Sequence, residues 1–196
     1  MDKLETEVVA KSLVTPEVIA HYKKFEGYAN HFYLDGPGFV TIGIGCMIPN
    51  ANAASKLRMI NEIIDRPATP DEIIEEYDYV KTSLSGQTLK YYEEFTSLTL
   101  PEKDIISLFD LRYRDKFHDL KRMIPEFLEF PDAVQEVLLD MAFNLGVTGL
   151  LMKFPNFITK IRAHKYSEAA LNCHRRGIGE ERNLWAKNML LSVGTI

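Results

Sequence analysis

Residues Phe25 to Gly45, FEGYANHFYLDGPGFVTIGIG, change the hydrophobic period of the chain from helical to alternating, and the fold is built outward from them. Upstream, Thr15-Pro16-Glu17 supplies an N-cap and a proline that fits the first helical turn, and Val18, Ile19, Tyr22 and Phe25 share one helical face. Gly27 is a natural left-handed stop, which puts Glu26 at the carboxyl end of that helix. From His31 to Gly45 short apolar alternation is broken by Asp35-Gly36-Pro37-Gly38, the pattern of a β-hairpin. Gly43 and Gly45 mark either a close approach of backbone or ligand or simply a bent sheet.

Downstream the reading is uneven. Leu57, Ile60, Ile63 and Ile64 fit a helical pattern with poor boundaries, whereas Thr69-Pro70-Asp71-Glu72 is a clean capping-box start for a helix to about Thr82, with Ile73, Ile74, Tyr77 and Val80 inward. Thr99-Leu100-Pro101-Glu102 repeats the cap and opens a helix to about His118, carrying Ile105, Ile106, Leu108, Phe109 and Leu111. Asp132 to Leu145 presents an apolar stripe wide enough for a central buried helix, ended by Gly146. Shorter helices are expected near 155–164, 167–174 and 180–191. The expected architecture is α+β and predominantly helical: a single domain over 1–196 with an N-terminal arm (1–14), an extended small-lobe insertion (46–98) and a helical lobe (99–196), and a cleft where the sheet meets the helices.

The 196 residues, 46% of them apolar, are enough for a sizeable core. No apolar run reaches membrane-spanning length, and Met1 to Thr15 has no signal-peptide core, so synthesis in the cytoplasm and no membrane insertion are expected. Two cysteines, Cys46 and Cys173, make no disulfide framework, and the scattered histidines give no case for zinc; neither metal nor cofactor is expected. A net charge of -5 argues against nucleic acid as a partner. The one basic tract, His174-Arg175-Arg176 with Arg182 beyond, reads either as a basic patch or as a solvated helix end.

Glycosidic cleavage needs a proton donor for the leaving oxygen and a second group that attacks the sugar or holds an attacking water. Glu26 at a helix end and Asp35 in a hairpin turn are separated by a chain reversal, so they can face each other across a groove, and Thr41 on the return strand can place a hydroxyl beside the same water. As a bare pair the two acids are unremarkable. The whole string Phe25-Glu26-Gly27, Tyr33-Leu34-Asp35-Gly36 and Thr41-Ile42-Gly43-Ile44-Gly45, however, resembles the lysozymes of the T-even bacteriophages and related phage endolysins, which carry Glu, Asp and Thr at these intervals. Met141-Ala142-Phe143-Asn144-Leu145-Gly146, with Gly149 and Phe154 beyond, resembles that family's buried helix and its exit, and Glu168-Ala169-Ala170 with Arg182-Asn183 is a weaker third match.

The resemblance implies a lysozyme-like fold and a muramidase that cleaves the β-1,4 bond between N-acetylmuramic acid and N-acetylglucosamine with inversion. Glu26 would be the acid, Asp35 would orient the water and Thr41 would help hold it. Tyr33, Gly45, Asn144, Phe154 and Arg182 would line the substrate path, Arg182 near the acid. Peptidoglycan glycan strands are the implied partner of a monomer acting in the periplasm or wall, either as an endolysin released through a holin or as a secreted effector held in check by an immunity or inhibitor protein. Two other readings stand beside it: a lytic transglycosylase, which needs no water-holding aspartate, and a catalytically silent glycan-binding or structural module. The chain departs from the pattern at Cys46, where many relatives have histidine, and in the length of the 46–98 insertion.

Overall fold

The computed structural model describes residues 14–193; the arm expected over 1–14 therefore lies, apart from Val14, outside the described residues. The protein is α+β and predominantly helical, with two small three-stranded sheets. It divides into two compact units, up to Arg112 and from Tyr113 onward, a boundary that falls inside a long helix rather than near residue 98.

In the first unit, helix α1 (Pro16–Glu26) starts as its sequence predicts, the Thr15 hydroxyl accepting from the Val18 N–H at 3.4 Å. Gly27 follows at φ +81° and turns the chain into the sheet. Strands β1 (Ala29–Leu34), β2 (Val40–Gly43) and β3 (Cys46–Met47) form an antiparallel meander, with Tyr33 opposite Thr41 and Ile42 opposite Cys46. A bulge between Ala29 and Tyr33 shifts the register of β1. Gly43 (φ +69°) is required by packing as well as by its backbone: a Cβ there would come within 3.1 Å of Ile105 Cγ2.

The insertion begins with a short helix α2 (Ala51–Ala54) and a hairpin of β4 (Ile60–Asn61) and β5 (Arg66–Pro67). The helical pattern read through Leu57 to Ile64 is thereby corrected. Ile63 and Ile64 sit at the hairpin tip, 79% and 53% exposed, and Asp65 takes the left-handed φ of +46° that ends a helix and makes a turn. Pro67 is tolerated because β5 is an edge strand. Helix α3 (Pro70–Lys81) has the full capping box, Thr69 Oγ1 accepting from Glu72 N at 3.3 Å and Glu72 Oε2 from Thr69 N at 2.7 Å. Ile73, Tyr77 and Val80 are buried, Ile74 only half so. Helix α4 (Leu89–Glu93) and β6 (Leu98–Thr99) complete the insertion; β6 pairs with β4, so Thr99 is a strand residue rather than the expected cap. The Leu100 N–H donates to Asn30 O at 2.7 Å, tying the segment after β6 to β1. Tyr22, Phe32, Ile42, Tyr77, Tyr92 and Phe109 form this unit's core, Tyr22 lying 5.1 Å from Phe109 and Phe32 5.9 Å from Tyr77 between ring centres.

Helix α5 (Glu102–Met123) is longer than the pattern predicts, and Leu111, one of the apolar residues it carries, is 58% exposed. In the second unit, α6 (Asp132–Leu145) is the expected buried helix, Val134, Val137, Leu138, Met141 and Ala142 being fully enclosed. A helix missed by the sequence reading, α7 (Val147–Lys153), follows Gly146 directly. Then come α8 (Pro155–Arg162), α9 (Tyr166–Ala170) and α10 (Glu180–Val193), with α10 packed on α6 and α9. Both cysteines are free and buried. Among the described residues no single helix is long and apolar enough to cross a membrane.

Candidate active site

The first unit brings Glu26, Tyr33, Asp35, Thr41 and Gly45 together around the β1–β3 meander. Glu26 closes α1 and is half-buried. Its side chain lies against the backbone of Gly45, which has φ +61°: a Cβ on Gly45 would stand 3.0 Å from Glu26 Cβ and 3.2 Å from Glu26 Oε2. Glycine at 45 is therefore what lets the helix end and the hairpin meet, and of the two readings the sequence left open for this residue the structure selects close approach.

Asp35 and Thr41 are locked to each other through one peptide unit, that of Phe39. Asp35 Oδ1 accepts from Phe39 N at 2.7 Å, while Phe39 O accepts from Asp35 N and from Thr41 Oγ1, both at 3.0 Å. Gly38 N closes the turn on Asp35 O at 2.9 Å. The turn residues Asp35-Gly36-Pro37-Gly38 thus fix the aspartate by geometry that a short polar side chain provides at little entropic cost. Asp35 stays half-buried, whereas Thr41 is only 3% exposed and directs its hydroxyl proton to the Phe39 carbonyl, leaving its lone pairs to accept.

Tyr33 stands across the strand pair from Thr41. Its phenol is pushed above its ordinary pKa first by burial, then by the charges of Asp35 and Glu26, and least by Cys46. Both carboxylates act on this one hydroxyl electrostatically. The Cys46 thiol is raised to about 11, chiefly by burial and slightly by Glu26, against the lowering effects of the Arg112 guanidinium and of its own bond to Ile44 O. It is a neutral packing group at physiological pH.

Arg112 is the site residue that the sequence reading missed. It reaches from α5 to donate through Nη2 to the Met47 carbonyl, beside Cys46 on β3, 65 residues away in sequence. An arginine in a helix with a mixed charged surface carries no local signal of such a contact. The backbone role of Phe39 was equally invisible, since its ring is 55% exposed and only its peptide group is used.

The remaining expected substrate residues, Asn144, Phe154 and Arg182, belong to the second unit. Asn144 is exposed near the end of α6 and Phe154 joins α7 to α8. The expectation for Arg182 is corrected: it is 3% exposed and donates from Nε (3.0 Å) and Nη2 (2.8 Å) to Asp140 Oδ1 on α6. The basic tract is corrected with it. Arg175 is 1% exposed and its Nη2 lies 2.8 Å from Asp140 Oδ2, so the tract is neither a patch nor a solvated helix end at this residue. Asn183 fastens the arrangement, accepting from Arg175 N and donating to Arg175 O, both at 3.0 Å.

Chemically, the first unit offers two part-exposed carboxylates, a buried threonine hydroxyl and a tyrosine hydroxyl held on rigid elements. In comparisons with known proteins, no family model matches the chain and no curated protein matches it.

Proposed function

We propose that the protein is a muramidase of lysozyme-like fold that hydrolyses the glycan of peptidoglycan, with Glu26 protonating the leaving oxygen and Asp35 orienting the attacking water. The observation that carries this reading is the packing of Glu26, at a helix end, against Gly45 of the same β1–β3 meander whose first turn holds Asp35. Thr41, fixed to the same Phe39 peptide as Asp35, is the second acceptor for that water. The matching intervals of Glu26, Asp35 and Thr41 to the T-even phage lysozymes add independent support.

Such a pair works by inversion when the two carboxyls stand on the order of 6.5 to 9.5 Å apart, leaving room for one water on the far face of the sugar. Tyr33 and Gly45 then serve as walls: the glycine admits the acid, and the tyrosine hydroxyl supplies a neutral donor to a sugar oxygen. The setting is either release through a holin or delivery by a secretion machine against a competitor, the latter with an immunity protein as partner. Zymography on purified sacculi tests the reading. Wild type should clear, while Glu26→Gln and Asp35→Asn should not; clearing that survives Glu26→Gln removes the acid assignment, and a wild type that never clears leaves the silent-module alternative.

A further inference from the structure

Part of the 46–98 insertion reaches the residues assigned to hydrolysis. Between α3 and α4 the chain runs irregularly over 83–87, turning at Gly86 with φ +70°. This loop packs on the turn that carries Asp35: a Cβ on Gly38 would stand 3.8 Å from Ser85 Cβ, an ordinary van der Waals distance. Gly38 N closes that turn on Asp35 O, and the next amide, Phe39 N, holds Asp35 Oδ1. Asp35 is thus fastened from within by its own turn, and the turn is backed by the loop.

The loop does not hold this place through its own burial. Leu84, its one large apolar side chain, is 65% exposed, and Gln87 Nε2 donates locally, to Ser85 O at 3.4 Å. A segment with few buried contacts opens at low free energy unless its backbone is fixed elsewhere. Tyr92 fixes it. This residue of α4 is 0% exposed, and its hydroxyl donates to Leu84 O at 2.7 Å. A buried phenol with no partner is less stable than a phenylalanine filling the same space; here the partner is the loop carbonyl.

The same side chain reaches Tyr33, the two rings lying 6.4 Å apart between centres. Its helix is tied to β1 as well, since His31 Nε2 lies 3.1 Å from Leu89 O, and a carbonyl only accepts, so the imidazole donates. Tyr92 therefore stands on a helix fastened to the strand that carries Tyr33, with its ring beside Tyr33 and its hydroxyl on the loop behind the Asp35 turn. Resting on the muramidase reading for the task of Asp35, we propose that Tyr92 is a positioning residue: it touches no substrate, but through Leu84 O it keeps the 83–87 loop on Gly38 and so keeps Asp35 placed to orient the water.

Tyr92→Phe is the direct test, because it keeps the ring and removes the hydroxyl alone. Tyr77→Phe is its matched control: Tyr77 is also buried and also donates to a backbone carbonyl, Ile48 O at 3.1 Å, which is outside the loop. Each change removes one buried hydrogen bond, so general destabilisation affects both alike. Tyr92→Phe alone should speed hydrogen exchange at the Gly38 and Phe39 amides by about fivefold, the factor for withdrawing one hydrogen bond of ordinary net strength. It alone should also lower kcat on purified glycan strands by about five- to tenfold at unchanged KM, the mark of a lost interaction that positions rather than binds. Exchange at Gly38 and Phe39 that stays at the wild-type rate, or rises equally in Tyr77→Phe, overturns the brace. Faster exchange with kcat unchanged, or with the whole loss in KM, overturns the positioning role. Should wild type cleave no glycan, the muramidase reading fails, and the exchange rates still decide whether Tyr92 holds the Asp35 turn.

Discussion

Asp140 in the second unit and Asp35 in the first put the same side chain in opposite settings. Asp140 is 1% exposed and lies between the guanidiniums of Arg175 and Arg182. Asp35 is half-buried and held at one oxygen by the Phe39 amide. A carboxylate locked between two arginines has no freedom to orient a water; one fixed at a single oxygen by a turn amide keeps that freedom. The same side chain is thus consumed in an ion-pair network where it is enclosed, and left available for the proposed chemistry where a turn holds it part-exposed.

The division can be broken first at the acid. Replacing Glu26 with Gln should lower sacculus hydrolysis by about 10²- to 10⁴-fold, the range expected for a lost general acid, while the thermal melt is unchanged. In the second unit the reverse is expected: Asp140→Ala leaves two buried guanidiniums without their anion and should lower stability by about 3–5 kcal/mol in urea unfolding. An Asp140→Ala protein as stable as wild type would erase the contrast between the regions.

Smaller effects sharpen it. Gly45→Ala must adopt φ +61° and push against Glu26, so about 1–2 kcal/mol of backbone strain should accompany a loss of activity larger than the stability change explains. Thr41→Val, which removes a hydroxyl proposed to hold the water, should slow turnover by about tenfold, with Thr41→Ser restoring most of it, read as kcat at saturating substrate. The smallest effect is electrostatic. The Arg66 guanidinium and the Thr69 amide hold the Glu72 carboxyl down at about 2, so its contribution to stability is present above its unfolded pKa and is lost as pH falls towards 2. Arg66→Ala should flatten the melting-temperature profile across that acid window, and an unchanged profile would show the pair to be solvated away.

The legible parts of the sequence were those with local chemistry. Thr69-Pro70-Asp71-Glu72 announced α3 because every element of its cap lies within four residues, and Gly27 and Asp35-Gly36-Pro37-Gly38 announced the reversals around the site for the same reason. What failed was nonlocal. Ile60, Ile63 and Ile64 are apolar at helical spacing, but Asp65 at φ +46° and pairing with residues 98 and 99 make the segment a strand and a turn. Arg175 and Arg182 looked like surface charge because nothing nearby in sequence announces Asp140, 42 residues before Arg182. Arg112 was missed for the same reason. The Glu26–Gly45 contact lay between these extremes: the glycine flagged a close approach, but only packing named its partner.

If Asp35 holds the attacking water opposite Glu26 as proposed, that geometry fixes the anomeric configuration of the first product. In proton NMR of a defined muropeptide oligomer during hydrolysis, the new reducing end should then appear as the α-anomer before mutarotation. A β-anomer, or an anhydro sugar with no reducing end, would contradict it.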